Sequence, residues 1–200
     1  LLDGAKTCFA PLISDYALDV YDETDLLTSS AIDCSPDAIL DAMGSVLPRL
    51  SPELAAAFDY MQRYALCDLE QDPGKAETGF TTRFYYLNEP FIFNAPYDEV
   101  QDYFDTIHEF GHFANAFYTT SDLLYGISDF DLSELQSQGM EIMFTAFYED
   151  IFGAALADYA RDTVLMNMVY SVVDGALYDE FQRRAYAEPD LTGSRAAELY

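Results

Sequence analysis

The sequence is poor in basic residues, with 9 lysines and arginines against 36 aspartates and glutamates among its 200 residues. The formal net charge of -27 repels phosphate backbones, and no cluster of Lys or Arg reverses it locally. We therefore expect no nucleic-acid partner. The same field favours cationic partners such as basic peptides, although an acid excess more often serves solubility alone.

Long apolar runs are also missing, since no segment approaches the ~18 uninterrupted apolar residues of a membrane-spanning helix. The first residues carry Asp3 and Asp15 around a short apolar run, which is not the pattern of a signal peptide. The three cysteines are odd in number and form no C-x-x-C pattern, which favours a reducing compartment. We expect a cytoplasmic protein without membrane association.

Hydrophobic residues are abundant, at 50% of the chain, and they predict a folded core. No repeat, low-complexity tract or linker is apparent, so a single region over residues 1–200 is expected. Ser35-Pro36 and Ser51-Pro52 each predict the start of a helix, with a capping serine and proline at the first helical position. The apolar spacing of the second helix continues through Leu69, before the turn signal Asp72-Pro73-Gly74.

The remaining chain is expected to hold one β region between further helices. Phe80 to Asn94 is rich in aromatic and β-branched residues and is broken at Asn88-Glu89-Pro90, which predicts two short strands. Helical periodicity returns from Tyr97 to about Thr119, again from Ser133 to Phe152, and then through Tyr186. The predicted fold class is mainly α with one small sheet or hairpin.

The only two histidines of the sequence, His108 and His112, lie four residues apart on a predicted helix. Residues at this spacing share one face, so both imidazoles can bind a single zinc ion. Glu109 would then lie beside the metal, where it can accept a proton from a zinc-bound water. Gly111 is expected to leave the surface between the two ligands open.

A catalytic zinc site also needs a third protein ligand. Glu134 and Glu141 are two helical turns apart on the next predicted helix and share a face. We assign Glu134 as the third ligand and Glu141 as the acceptor of a hydrogen bond from the far nitrogen of a liganding histidine. Asp131 is the competing third ligand, although its place just before a helix also suits an N-cap.

Several segments taken in order carry a family resemblance. They are Gly74–Phe80, Pro90–Asn94, Thr106–His112, Ser133–Glu141 and Asp179–Gln182. In these segments the sequence resembles the thimet oligopeptidase and oligoendopeptidase F family of zinc peptidases. The resemblance spans most of the chain, and its most specific part is the pairing of the two glutamate-bearing helices.

The resemblance implies that His108, His112 and Glu134 bind one zinc ion per chain and that Glu109 is the general base. It also implies a zincin-like, multi-helix catalytic region around a channel that admits short peptides. Members of the family are longer, and this sequence does not begin with methionine, so we expect a fragment of a longer peptidase. Members also carry a tyrosine- and histidine-containing segment that stabilises the oxyanion, whereas this sequence has no third histidine.

The resulting hypothesis is a zinc metalloendopeptidase in which zinc-activated water cleaves short peptides and Glu109 transfers the proton. The strand from Phe91 to Asn94 either presents an unpaired edge to the substrate or is simply buried. Two alternatives stay open. One is an aminopeptidase- or thermolysin-like zincin with Asp131 or another residue as third ligand. The other is a non-catalytic zinc- or peptide-binding module that retains the H-E-x-x-H motif.

Overall fold

The computed structural model describes residues 32–76, 78–84, 86–97, 99–119 and 132–199. It is mainly α with one small three-stranded sheet, which confirms the expected fold class. The helices are α1 (Pro36–Leu50), α2 (Pro52–Arg63), α3 (Gln101–Tyr118), α4 (Glu134–Phe144), α5 (Tyr148–Phe152), α6 (Ala154–Ala187) and α7 (Gly193–Leu199), with a 3-10 turn at Thr145–Phe147. The strands are β1 (Cys67–Asp68), β2 (Phe80–Phe84) and β3 (Glu89–Phe93).

Contacts divide the chain into two compact units. One is Thr24–Arg161, and the other combines Leu1–Glu23 with Asp162–Tyr200. The first unit holds the described elements from α1 to α5, the start of α6 and every candidate site residue that the structure describes. That the whole chain acts as a single catalytic region stays a prediction.

The described part of the second unit consists of the remainder of α6 and of α7. The helix α6 passes through Gly175 without interruption. Glu180 and Arg184 form an ion pair one turn apart on its surface. Among the described residues, no helix combines the length and the apolarity needed to cross a membrane.

Both predicted helix starts are confirmed. The Ser35 hydroxyl accepts a hydrogen bond from the Ala38 N–H at 3.4 Å. The Ser51 hydroxyl accepts from the N–H groups of Glu53 and Leu54 at 3.1 and 3.3 Å. Each serine therefore satisfies amide groups that have no partner within the helix, and the following proline has no N–H to satisfy.

The second helix ends earlier than its apolar spacing indicated. It stops at Arg63, and Ala65 follows with a positive φ of 51°. Cys67 and Asp68 then form β1. The prediction of helix through Leu69 was wrong because an apolar run this short suits a buried strand as well as a helix.

The sheet has the strand order β1-β3-β2. β2 and β3 form the predicted antiparallel hairpin, with Phe80 opposite Phe93 and Phe84 opposite Glu89. β1 pairs with β3 in parallel. Since β3 is the central strand, the expectation of an unpaired edge at Phe91 to Asn94 was wrong and its buried alternative is correct. The edge strand beside α3 is β2.

The core lies against the side of α3 that faces away from the histidines. Phe110 and Phe113 are fully buried there. Phe110 meets Phe58 of α2 edge to face, with ring centroids 5.6 Å apart. This packing fixes the rotation of α3 about its own axis, so the position of the opposite face is fixed as well.

The predicted helix from Ser133 to Phe152 is present but divided. α4 ends at Phe144, a 3-10 turn follows, and α5 ends at Phe152. Gly153 terminates α5 with a φ of 75°, a conformation that glycine adopts at no steric cost.

Candidate metal centre

α3 places His108 and His112 one turn apart on the same face. Their ring centroids are 4.9 Å apart, with an angle of 78° between the ring planes. The two side chains are 27% and 21% exposed, so both imidazoles are accessible from solvent. The buried phenylalanines on the other side of α3 anchor the helix in this orientation.

α4 brings Glu134 to the two histidines. Its Oε2 atom lies 3.1 Å from His108 Nε2 and 3.4 Å from His112 Nε2. Ligand atoms of the three side chains all lie within 4.8 Å of one another, and no other such group occurs in the part of the chain that the structure describes. Two imidazole nitrogens and one carboxylate oxygen are a donor set of catalytic zinc sites, so these residues fit the metal.

The close approach of α3 and α4 depends on Gly111. A β-carbon at this position would lie 2.6 Å from the Cα atom of Ser137 and 2.8 Å from the carbonyl oxygen of Gln136. The main chain of α4 therefore occupies the space that we expected Gly111 to leave open. This contact is what sets Glu134 opposite the histidines.

Ser137 also holds the carboxylate of Glu134. Its hydroxyl is fully buried and lies 2.8 Å from Glu134 Oε2 and 3.1 Å from the Glu134 carbonyl oxygen. Partial burial alone would raise the pKa of Glu134. The hydrogen bond from Ser137 and the charges of His112 and His108 outweigh it, so the pKa lies below its usual value.

Glu141 lies against the other nitrogen of His108. Its Oε1 atom is 2.7 Å from His108 Nδ1, as the seven-residue spacing from Glu134 suggested. Burial lowers the pKa of His108, but the hydrogen bond and charge of Glu141 and the charges of Glu109 and Glu134 raise it above its usual value. When His108 donates its Nδ1–H to Glu141, its Nε2 atom keeps a lone pair that can bind a metal ion.

Glu109 is buried at 9% exposure and is held from β2. The Thr81 hydroxyl lies 2.7 Å from Glu109 Oε2 and 2.9 Å from the Glu109 carbonyl oxygen. Sequence reasoning missed Thr81, because nothing in a strand pattern indicates which helix residue a strand side chain will touch. The inward position of Thr81 in an alternating strand was the only available signal.

Asp105 adds a further carboxyl group to the same face of α3. Burial, followed by the charges of Asp102 and Glu109, raises its pKa, while a hydrogen bond from Gln101 opposes the shift. The Gln101 Nε2 atom donates to Asp105 at 2.8 Å. The competing third ligand, Asp131, lies outside the described residues.

Comparisons with known proteins give structural matches only. No protein-family profile matches the sequence, and no curated protein matches it. A crystal structure from Bacillus anthracis str. Ames, provisionally assigned as oligoendopeptidase F, is 22% identical with a TM-score of 0.82, covering 98% of this chain and 37% of that one. A second provisional oligoendopeptidase F is 25% identical with a TM-score of 0.74, covering the same shares.

A third solved structure, PZ peptidase A with an inhibitor, is 25% identical with a TM-score of 0.70. It is matched over 82% of this chain and 30% of its own length. The chain thus spans 30–37% of the length of these structures. Over that part its structural neighbours are oligoendopeptidase F and PZ peptidase, which confirms the resemblance found in the sequence.

Proposed function

We propose that this protein is a zinc-dependent endopeptidase that hydrolyses short peptides. The observation that carries the proposal is the convergence of His108, His112 and Glu134 with Glu109 buried beside them. The structural neighbours, which are peptidases, support a peptidase reaction. They are more than twice as long as this chain, so the proposal concerns the whole protein of which these residues form the site.

His108 and His112 would hold one zinc ion through Nε2, and Glu134 would hold it through Oε2. When bound, zinc supplies a Lewis acid that polarises a peptide carbonyl and lowers the pKa of water. Glu141 would keep His108 in the tautomer that binds metal. Ser137 would keep Glu134 turned towards the two histidines.

Glu109 would act as the general base. It follows His108 directly on α3, so its carboxylate lies beside the metal ligands without being one of them. It would take a proton from the attacking water and return it to the nitrogen of the leaving amine. Water attacks the carbonyl directly, so no residue of the chain becomes covalently attached to the substrate.

The edge strand β2 would hold the substrate main chain. Within the described residues β2 pairs only with β3, so its other edge has main-chain groups available for an extended peptide. Thr81 places this strand directly beside Glu109. Binding through main-chain hydrogen bonds would accept many sequences, as expected for an enzyme that acts on varied short peptides.

The test compares Glu109→Gln with the wild type. The variant should keep the zinc content of the wild type and lose cleavage of a quenched peptide by at least about a hundredfold, the contribution typical of a general base. Glu149→Gln is the matched control, since Glu149 is exposed on α5, is not one of the site residues, and loses the same charge. Undiminished turnover in Glu109→Gln would overturn the assignment.

Measurements of zinc content and of peptide hydrolysis distinguish two alternatives from the proposed function. Zinc retained after Glu134→Ala but lost after Asp131→Ala would favour a thermolysin- or aminopeptidase-like site. Full zinc occupancy without hydrolysis of any peptide in a varied set would favour a non-catalytic binding module.

A further inference from the structure

A single hydroxyl group, that of Thr81, contacts both the side chain and the main chain of Glu109. Its oxygen lies 2.7 Å from Oε2 and 2.9 Å from the carbonyl oxygen. A threonine hydroxyl has one hydrogen to donate, so the two acceptors share it. Such a shared bond holds the Glu109 carboxylate in one rotamer relative to its own backbone.

Thr81 itself is held firmly, because a second residue of β2 also binds to α3. Arg83, the next inward-facing residue, donates through Nη2 to the carbonyl oxygens of Ala116 and Thr119 near the C-terminal end of α3. The Thr119 contact is 2.8 Å. Thr81 therefore acts from a strand whose position relative to the helix is fixed.

Gly79 makes room for this arrangement. A β-carbon at Gly79 would lie 3.1 Å from Asn94 Oδ1 and 3.8 Å from Glu109 Cγ. The chain entering β2 thus lies against the side chain of Glu109 as well as against Asn94, which is 3% exposed. Glu109 is enclosed on this side by the segment from Gly79 to Thr81.

The two oxygens of the Glu109 carboxylate differ in consequence. Oε2 accepts the hydrogen of Thr81, whereas Oε1 receives no hydrogen bond from any residue that the structure describes. We propose that Thr81 is a positioning residue. Its hydroxyl holds Oε2 of Glu109 through a hydrogen bond, so Oε1 is the oxygen that takes the proton from the attacking water and later releases it. This inference rests on the proposed peptidase function.

The proton balance follows from this division. Water loses one proton to Oε1 as its oxygen bonds to the carbonyl carbon, and Oε1 later gives that proton to the amine nitrogen as the C–N bond breaks. Thr81 keeps its own hydrogen throughout. Without the hydroxyl, the carboxylate can rotate, and the fraction of enzyme with a free oxygen directed at the water falls.

The experiment uses three substitutions in the protein. Thr81→Val removes the hydroxyl and keeps the shape, Thr81→Ser restores a hydroxyl, and Thr145→Val is the control, which removes a threonine hydroxyl from the 3-10 turn outside β2. We expect kcat of Thr81→Val to fall on the order of tenfold with KM within about twofold. Thr81→Ser should recover most of kcat, and Thr145→Val should match the wild type. Zinc content should be equal in all four proteins.

A readout independent of turnover comes from the metal-free protein. The free energy of unfolding is measured for four proteins that form a double-mutant cycle: wild type, Thr81→Val, Glu109→Gln and the double variant. Either substitution should lower the free energy of unfolding by less when the other is already present. Should Thr81→Val not fold, Thr81→Ala paired with Thr81→Ser tests the same hydroxyl.

The two proposals fail in different ways. A wild type that holds zinc and cleaves no peptide overturns the peptidase function, and the role of Thr81 with it. An active wild type with kcat of Thr81→Val within about twofold overturns the role of Thr81 alone. The role of Thr81 is also overturned if the effects of the two substitutions on the free energy of unfolding are additive. It is overturned as well if Thr81→Val changes KM and leaves kcat unchanged.

Discussion

Gly111 of α3 and Ser137 of α4 meet so closely that a β-carbon on the glycine would lie 2.6 Å from the Cα atom of the serine. The atoms involved are main-chain atoms, which cannot turn aside as a flexible side chain can. The spacing between the two helices, and with it the distance from Glu134 to the histidines, therefore depends on the absence of one methyl group.

The first prediction is that Gly111→Ala weakens both the fold and the metal centre. Separating α3 from α4 should reduce the free energy of unfolding by ~1–3 kcal/mol, the usual cost of overpacking, and should lower zinc content. Urea unfolding and elemental analysis measure the two effects. The matched control is Gly139→Ala on α4, where the added carbon would meet nothing within 4 Å beyond the adjoining residues and backbone of its own helix.

Gly139→Ala should stabilise the protein by ~0.5–1 kcal/mol, because alanine is the better residue inside a helix. Equal free energies of unfolding and equal zinc contents in Gly111→Ala and Gly139→Ala would contradict the role given to the contact between Gly111 and Ser137.

The second prediction concerns Glu134 as the third ligand. Zinc that binds only the folded protein raises the midpoint of thermal unfolding, and the shift grows with the ratio of free zinc to its dissociation constant. Glu134→Ala should abolish most of this shift, since two imidazoles alone form an incomplete site. Glu149→Ala, at an exposed position, should keep it. An unchanged shift in Glu134→Ala would remove Glu134 from the ligand set.

The third prediction concerns Glu141, whose Oε1 atom lies 2.7 Å from His108 Nδ1. Glu141→Ala removes this acceptor and should weaken zinc binding by ~10–100-fold, as is usual for partners that orient a liganding histidine. Glu141→Gln retains an acceptor oxygen without the charge and should fall between the wild type and the alanine variant. Competition with a chromogenic chelator measures these affinities, and a wild-type value in both variants would contradict the prediction.

The sequence predicted those parts of the site that depend on spacing within one helix. His108 and His112 are four positions apart, and Glu134 and Glu141 are seven positions apart. Helical geometry turns both spacings into shared faces. Contacts between elements were not predictable in this way. Thr81 reaches Glu109 across 28 positions of sequence, and no local pattern encodes that distance.

The sheet shows the same limit. The hairpin of β2 and β3 followed from residue types and a turn, whereas β1 is only two residues long and lies in an apolar run that also suits a helix. Without β1, β3 seemed to have a free edge. Among the described residues the edge strands are instead β1 and β2, and only the pairing order identifies them.

The last prediction concerns Lys75, which ties the loop before β2 to the sheet. Its Nζ atom lies 2.6 Å from Asp68 Oδ1 and 3.2 Å from the Asn94 carbonyl oxygen, and it also donates to the Glu70 carbonyl. It lies 4.9 Å from the centre of the Phe93 ring. Lys75→Met keeps the apolar stem and removes every donor, so we expect a loss of ~1–3 kcal/mol in the free energy of unfolding.

Part of that loss should depend on pH. The hydrogen bond from Lys75 holds the pKa of Asp68 below its usual value in the folded protein. The ion-pair contribution is therefore complete above the unfolded pKa of ~3.9 and disappears as the pH falls through the folded pKa. Because the Asp68 side chain is 41% exposed, this part should be below ~1 kcal/mol.

Urea unfolding of the wild type and Lys75→Met at about pH 7 and about pH 3 separates the two parts of the loss. The difference in the free energy of unfolding between the two proteins should become smaller at the lower pH. It should not vanish, since the hydrogen bonds from Lys75 to the two carbonyl groups do not titrate. Arg63→Met, at the exposed end of α2, removes the same charge and should change stability by less than ~0.5 kcal/mol. A difference that widens on acidification would show that Asp68 is not the group stabilised by Lys75, because a carboxylate with a lowered folded pKa loses its contribution in that direction.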